Sequence, residues 1–171
     1  MSMRLPRQTC LAVMLCVALS WLPAHADALS ASASITLHAG GKTRTLDRKA
    51  LDAMPQTQAT AAAHEDKPSQ WGGVALQDVL AQSVPHGQSL RGRNLATFVR
   101  ITASDGYQIV FSVAELDPNF GNTRVILADS KDGQPLDKDG PYRLIVPGDK
   151  RPARWIRNIT QIDVVDGTAG K

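Results

Sequence analysis

Val99-Arg100-Ile101-Thr102-Ala103-Ser104-Asp105-Gly106-Tyr107-Gln108-Ile109-Val110-Phe111 is the stretch of this 171-residue chain whose reading decides the fold. Val99, Ile101 and Ala103 alternate with Arg100 and Thr102; Tyr107, Ile109 and Phe111 alternate with Gln108 and Val110. A period of two puts each apolar set on one face of a strand, and Ser104-Asp105-Gly106 supplies turn residues between the two runs. The stretch is predicted to be a β-hairpin with one buried face.

Outward from the hairpin the elements stay short. Ser112-Val-Ala-Glu115 fits a capping box at the start of a one- or two-turn helix that ends before Pro118. Val125-Ile126-Leu127-Ala128 reads as a buried strand, and Asp132-Gly133 as the turn after it. Tyr142, Leu144 and Val146 alternate with Arg143 and Ile145 up to Pro147-Gly148, and a last strand covers Ile159 to Val165. Upstream, Leu76, Val79 and Leu80 give one face of a short helix over Ala75–Ser83. Ile35–His38 and Thr43–Leu46 flank Gly40-Gly41 as a second hairpin, after which Asp47 caps a helix carrying Leu51 and Met54 and stopped by Pro55. Thr57 to Ala63 is weakly strand-like, and His64–Pro68 is a polar loop. Strands interspersed with short helices, without a long-helix rhythm, predict an α+β fold, mostly β, as a single domain over residues 35–167.

The N-terminus reads differently. Arg4 and Arg7, the apolar run Cys10–Leu22 and Ala24-His25-Ala26 make up the three parts of a secretory signal peptide over residues 1–26. Ala/Ser-rich residues 27–34 form a flexible lead-in. Cys16 follows Val13-Met14-Leu15 rather than a lipobox, so the expected product is soluble and periplasmic, and no second apolar run approaches the length of a membrane span. Cleavage removes two arginines and no acid, so the formal charge falls from +3 to +1 over the 145 residues left when 26 are taken from 171. A near-neutral chain lacks the basic stripe that nucleic acid requires, and that class is set aside. Both cysteines, Cys10 and Cys16, go with the signal peptide, leaving no disulfide, thiolate nucleophile or sulfur ligand from cysteine.

Few chemical motifs remain. His38, His64 and His86 lie in different elements with no paired ligand spacing, and the Asp-Gly clusters at 129–133 and 137–140 lack the acid pattern of a calcium loop and read as turns. One constellation stands out: Arg143, Lys150, Arg151, Arg154 and Arg157, with Trp155 inside it and only Asp149 in opposition. It fits an anion pocket, since guanidinium forks match phosphate or carboxylate, and it equally fits a solvated loop with Trp155 half in the core. Arg143, on a strand, needs a partner that is either an internal aspartate or a ligand.

An ordered series of segments carries a family resemblance. Trp71-Gly-Gly-Val74-Ala-Leu76-Gln-Asp78-Val-Leu80 is followed by Ser104-Asp105-Gly106-Tyr107, Leu127-Ala128 and Asp132-Gly133-Gln-Pro135-Leu136. Gly140-Pro141-Tyr-Arg143-Leu-Ile-Val146-Pro147 and Arg154-Trp155-Ile156 with Ile159 complete it. Over most of residues 46–165 the chain resembles the oxidoreductase molybdopterin-binding domain of the sulfite oxidase family, in a short stand-alone version. The resemblance implies layered mixed sheets with a β-grasp-like element. It also implies a molybdenum-ligating cysteine ahead of the Trp71 element, where this chain reads Thr57-Gln-Ala-Thr-Ala-Ala-Ala-His64-Glu-Asp. Molybdenum on a pterin dithiolene favours a soft sulfur donor, and none is there. Cofactor-loaded relatives leave folded through the twin-arginine route, whereas Leu5-Pro6 separates Arg4 from Arg7.

The expectation is therefore an exported periplasmic protein that keeps the scaffold as a non-catalytic ligand-binding or partner-docking module. Its candidate surface is Tyr107, Arg143, Arg151, Arg154 and Trp155. The expected partner is a small anionic ligand or a membrane-bound sensor or redox protein. No cofactor is expected, and molybdopterin is the one the resemblance implies. The alternative is a sulfite oxidase-like, molybdopterin-dependent oxidoreductase with a non-cysteine metal ligand; a third class is a structural or assembly subunit.

Overall fold

The computed structural model describes residues 33–63, 66–81, 83–84 and 87–168. The segment read as a signal peptide, nearly all of the segment read as a lead-in, and His64 and His86 lie outside the described residues. Among those described, no helix is long and apolar enough to cross a membrane.

The decisive hairpin forms where the alternation places it, except that Tyr107 lies just outside the return strand and is exposed rather than on the buried face. β5 (Thr97–Ala103) buries Thr97, Val99, Ile101 and Ala103, and pairs antiparallel with β6 (Gln108–Ser112), Val99 opposite Phe111 and Ile101 opposite Ile109. The upstream hairpin joins β1 (Ser34–Ala39) to β2 (Lys42–Asp47) through Gly40 and Gly41, with φ of +55° and +72°. Two consecutive positive φ values match the twist of the flanking strands and favour glycine. These four strands and β10 (Ile159–Asp166) form one sheet in the order β2-β1-β10-β5-β6, with only β1 and β10 parallel.

The second sheet runs β3 (Gln56–Ala61), β4 (Ser69–Ala75), β7 (Ile126–Lys131). On the far edge of β7, the two-residue β8 (Gln134–Pro135) pairs with Ser130 and Lys131, and β9 (Arg143–Ile145) with Ile126 to Ala128. Side chains from both sheets merge into one core, among them Ile35, Val99, Phe111 and Ile162 with Trp71, Val74, Leu127 and Leu144. Three short helices, α1 (Arg48–Asp52), α2 (Leu76–Leu80) and α3 (Val113–Leu116), close the ends. The architecture is the expected mostly β mixed fold with layered sheets.

Among the local readings, α1 ends at Asp52, short of Met54, and two further corrections follow. Asp47 caps α1, accepting from the Ala50 N–H at 2.8 Å. Ser112 caps α3, accepting from the Glu115 N–H at 3.0 Å, but the reciprocal half of the capping box does not form. The Glu115 carboxylate instead accepts from Arg154 Nη1 at 2.8 Å, because a guanidinium is the stronger donor. The second correction is β4, which the sequence reading missed entirely.

β4 was hidden by Gly72-Gly73, which depress strand propensity in its middle. The glycines mark a β-bulge: Gly72 pairs with Ser130 and Gly73 with Ala128, so Asp129 is left over on β7. Asp129 turns to α1 and accepts from Arg48 Nη1 at 2.5 Å. Gly73 has φ of +156°, and a Cβ there would collide with the Leu127 carbonyl oxygen. Gly73→Ala is expected to cost about 3 kcal/mol of stability in urea unfolding. Gly148→Ala, at an open position, should stay within about 0.5 kcal/mol of the parent.

Candidate functional site

The segment between β9 and β10 carries the chain from the second sheet to the first. Pro152 opens a single 3-10 turn, Pro152–Arg154, closed by the Trp155 N–H donating to the Pro152 carbonyl at 3.0 Å. This turn drives Trp155 inward, where it is buried. Its Nε1 donates to the Val146 carbonyl at 3.0 Å, and its ring stands edge-on to Trp71 at 6.1 Å and 82°. Trp71 Nε1 donates to the Ala61 carbonyl at 3.2 Å. Both indole N–H groups are thus satisfied by backbone, so Trp155 offers a wall rather than a donor.

The turn that buries Trp155 points Arg154 the other way. Arg154 donates to both carboxylate oxygens of Asp149, at 2.9 and 2.6 Å, and its carbon centre lies 4.5 Å from the Phe111 ring centroid. Hydrogen bonds to Asp149 and Glu115 outweigh burial and raise its pKa above the usual arginine value. Arg154 is a clasp between the β9–β10 segment, β6 and α3.

Arg143, at the start of β9, is in a different position. Its side chain is only 14% exposed, and Nη1 donates to Asp139. Its guanidinium lies 5.2 Å from the Trp71 ring centroid. Burial pulls its pKa below the usual arginine value, and the Asp139 carboxylate pulls it back up. Its Nε is the one buried side-chain nitrogen or oxygen without a hydrogen-bond partner among the described residues. Arg157 Nη1 donates to the other oxygen of the same Asp139 carboxylate at 3.1 Å.

These groups border a cleft of about 610 Å³ whose lining includes Tyr107, Lys138, Arg143, Trp155, Arg157 and Asn158. Tyr107 reaches it from the β5–β6 turn: its N–H donates to Asp105 at 2.9 Å and its hydroxyl to the Ala153 carbonyl at 3.1 Å. Ala63, just beyond β3, also lines the cleft. Of the five residues singled out from sequence, the fold brings Tyr107, Arg143 and Trp155 together here. Arg154 is turned away and held by its acids, and Arg151 is exposed outside the lining. Sequence reading placed Arg157 in the basic group but not in the site, and missed Lys138 and Asn158. Only the counter-ions show which arginines face the cleft. Chemically, Lys138, Arg143 and Arg157 against Asp105 and Asp139 leave a cationic recess with donors and an aromatic wall, suited to an anion. Among the described residues, no group of three or more His, Cys, Asp or Glu is placed to hold a metal.

The family model of the oxidoreductase molybdopterin binding domain matches residues 26–170. Among solved structures, the sulfane dehydrogenase SoxCD from Paracoccus pantotrophus is similar, with a TM-score of 0.62 and 16% sequence identity. The match covers 80% of this chain and 39% of that one, and at such identity it is a likeness of fold. No curated protein matches the sequence.

The two arginines should separate in a stability measurement. Arg143→Met removes a guanidinium whose burial is poorly compensated and leaves Asp139 with Arg157, so unfolding free energy should stay within about 1 kcal/mol of the parent. Arg154→Ala breaks hydrogen bonds to two carboxylates and should cost about 2 kcal/mol in the same urea titration.

Proposed function

The chain belongs to the oxidoreductase molybdopterin-binding domain family, and on that premise we propose that it uses the family scaffold as an exported, periplasmic, non-catalytic module for binding a small anion. The carrying observation is Arg143, a nearly buried cation with an unpartnered Nε at the side of a cleft that Lys138 and Arg157 also line. A buried donor without an acceptor costs free energy that a bound oxyanion would recover. Trp155 and Trp71 make the site rigid, and Tyr107, with its hydroxyl tied to Ala153, borders it.

The metal centre that the family resemblance implies does not fit these residues. Its soft thiolate would come from the segment ahead of β4, and there the cleft meets the methyl group of Ala63. The cysteines of the chain are Cys10 and Cys16, within the signal-peptide segment. Hydroxyl, amide, ammonium and guanidinium groups and one carboxylate, Asp105, line the cleft, and cations are poor ligands for a metal. The described residues around the cleft therefore offer no sulfur donor of the kind the family's metal centre uses. The basic Sec-type leader, with Leu5-Pro6 between its arginines, supports export of an unfolded chain to the periplasm.

Native mass spectrometry with metal analysis on protein from the host periplasm tests this reading. The expected result is a metal-free protein retaining a small anion, with retention lost in Arg143→Met. Near-stoichiometric molybdenum would overturn the reading in favour of an oxidoreductase with a non-cysteine ligand set. A protein without any anion, co-purifying with a membrane-bound sensor or redox protein, would replace ligand binding by docking.

A further inference from the structure

The cleft beside Arg143 has a neighbour. A second recess of about 470 Å³ is bordered by Trp71, Lys131 and residues 134–139, and Lys138 lines both. The segment Leu136–Pro141, which follows β8 and leads into β9, lines the second recess with Leu136 to Asp139 and the first with Lys138. Trp71 connects them from below: Lys131 Nζ and the Arg143 guanidinium each lie 5.2 Å from its ring centroid.

Leu136 anchors the start of this segment against the core, and what fastens residues 137–140 beyond it is largely one side chain. Asp139 accepts from Arg143 with one carboxylate oxygen and from Arg157 with the other. At the start of the segment the Leu136 N–H donates to the Asp129 carbonyl at 3.0 Å; beyond it the Asn158 N–H reaches the Asp139 carbonyl and the Asn158 side-chain amide the Lys138 carbonyl, both at 3.4 Å, near the limit of a hydrogen bond. A carboxylate held by two guanidinium groups of an anion cleft occupies the place that an anion's own oxygens would take.

We propose that Asp139 is an internal anion that holds the 136–141 segment as a strap across one continuous groove, and that a bound anion competes with it for Arg143 and Arg157 and releases the strap. This rests on the anion-binding reading of the cleft. Release joins the two recesses and uncovers the Trp71 face with Lys131 beside it. The ligand then has a second, aromatic and cationic subsite beyond its first contacts. Binding that must first displace Asp139 is weakened in proportion to the small fraction of strap-open molecules.

The test is titration of the mature protein with inorganic phosphate in a calorimeter at constant ionic strength. Asp139→Asn, which keeps shape and removes charge, is expected to tighten binding about tenfold or more. Asp137→Asn, the same charge change on the same segment away from both arginines, should leave it within about twofold. Binding by the parent that is unchanged or weakened in Asp139→Asn, or tightened equally by Asp137→Asn, overturns the strap and leaves the anion site standing. No phosphate binding by the parent or by either variant overturns both. Amide hydrogen exchange on the unmodified protein gives a readout that does not depend on a variant folding. Residues 137–140 should exchange faster with phosphate bound, although ligands ordinarily slow exchange; slower or unchanged exchange there refutes the strap.

Discussion

The edge-on contact of Trp155 with Trp71 is the constraint from which the site follows. The chain has to pass from the second sheet to the first between β9 and β10, and Trp155 fixes that passage by inserting beside a residue of β4. Each indole N–H is taken by a backbone carbonyl, so two large aromatic groups are buried without an unpaired donor. With Trp155 pointing inward, its neighbour Arg154 must face Asp149 and Glu115, while Arg157, two positions on, reaches Asp139. The orientations of Arg154 and Arg157 are therefore tied to where one aromatic side chain is buried.

β4 shows why part of the fold was legible and part was not. The β5–β6 hairpin could be read because one face is buried and the other is not, so the sequence alternates with the pleat. β4 pairs on both edges and carries Gly72 and Gly73 where the chains approach too closely for a side chain. A strand whose defining feature is the lack of side chains leaves no periodic signal. β9 was read correctly although both its faces are covered, because Pro147-Gly148 bounded it. The bulge opposite Gly73 has its own consequence, in that it frees Asp129 to hold Arg48 and so ties α1 to the second sheet.

The site was legible as a composition and not as a geometry. Five cations and a tryptophan within fifteen positions identified the region, but of the acids that sort them only Asp149 lies among them; Glu115 is far away in the chain and Asp139 is in a turn read only as a turn. Glu115 was assigned to a helix cap and proved to hold Arg154, 39 positions away. Asp139 was read as a turn residue and proved to hold the two arginines of the cleft. Asp149 lies within the basic segment and holds Arg154, but the local sequence does not say which of the neighbouring cations it takes.

The two arginines differ in how well their burial is compensated. Arg154 meets two carboxylates and an aromatic face at partial burial, and its charged form is held more firmly than in water. Arg143 gives up more solvent and receives less: one shared carboxylate, the face of Trp71 and nothing at Nε. A folded chain gains nothing from such a group, because an apolar side chain of similar volume would fill the same space without the desolvation cost. A guanidinium kept in that environment has its donors preorganised in a low-dielectric recess, where a bound anion interacts with it more strongly than with an exposed arginine. On the proposed anion-binding reading, the unfavourable burial of Arg143 would be the physical source of its affinity, with Asp139 as its counter-charge in the free protein.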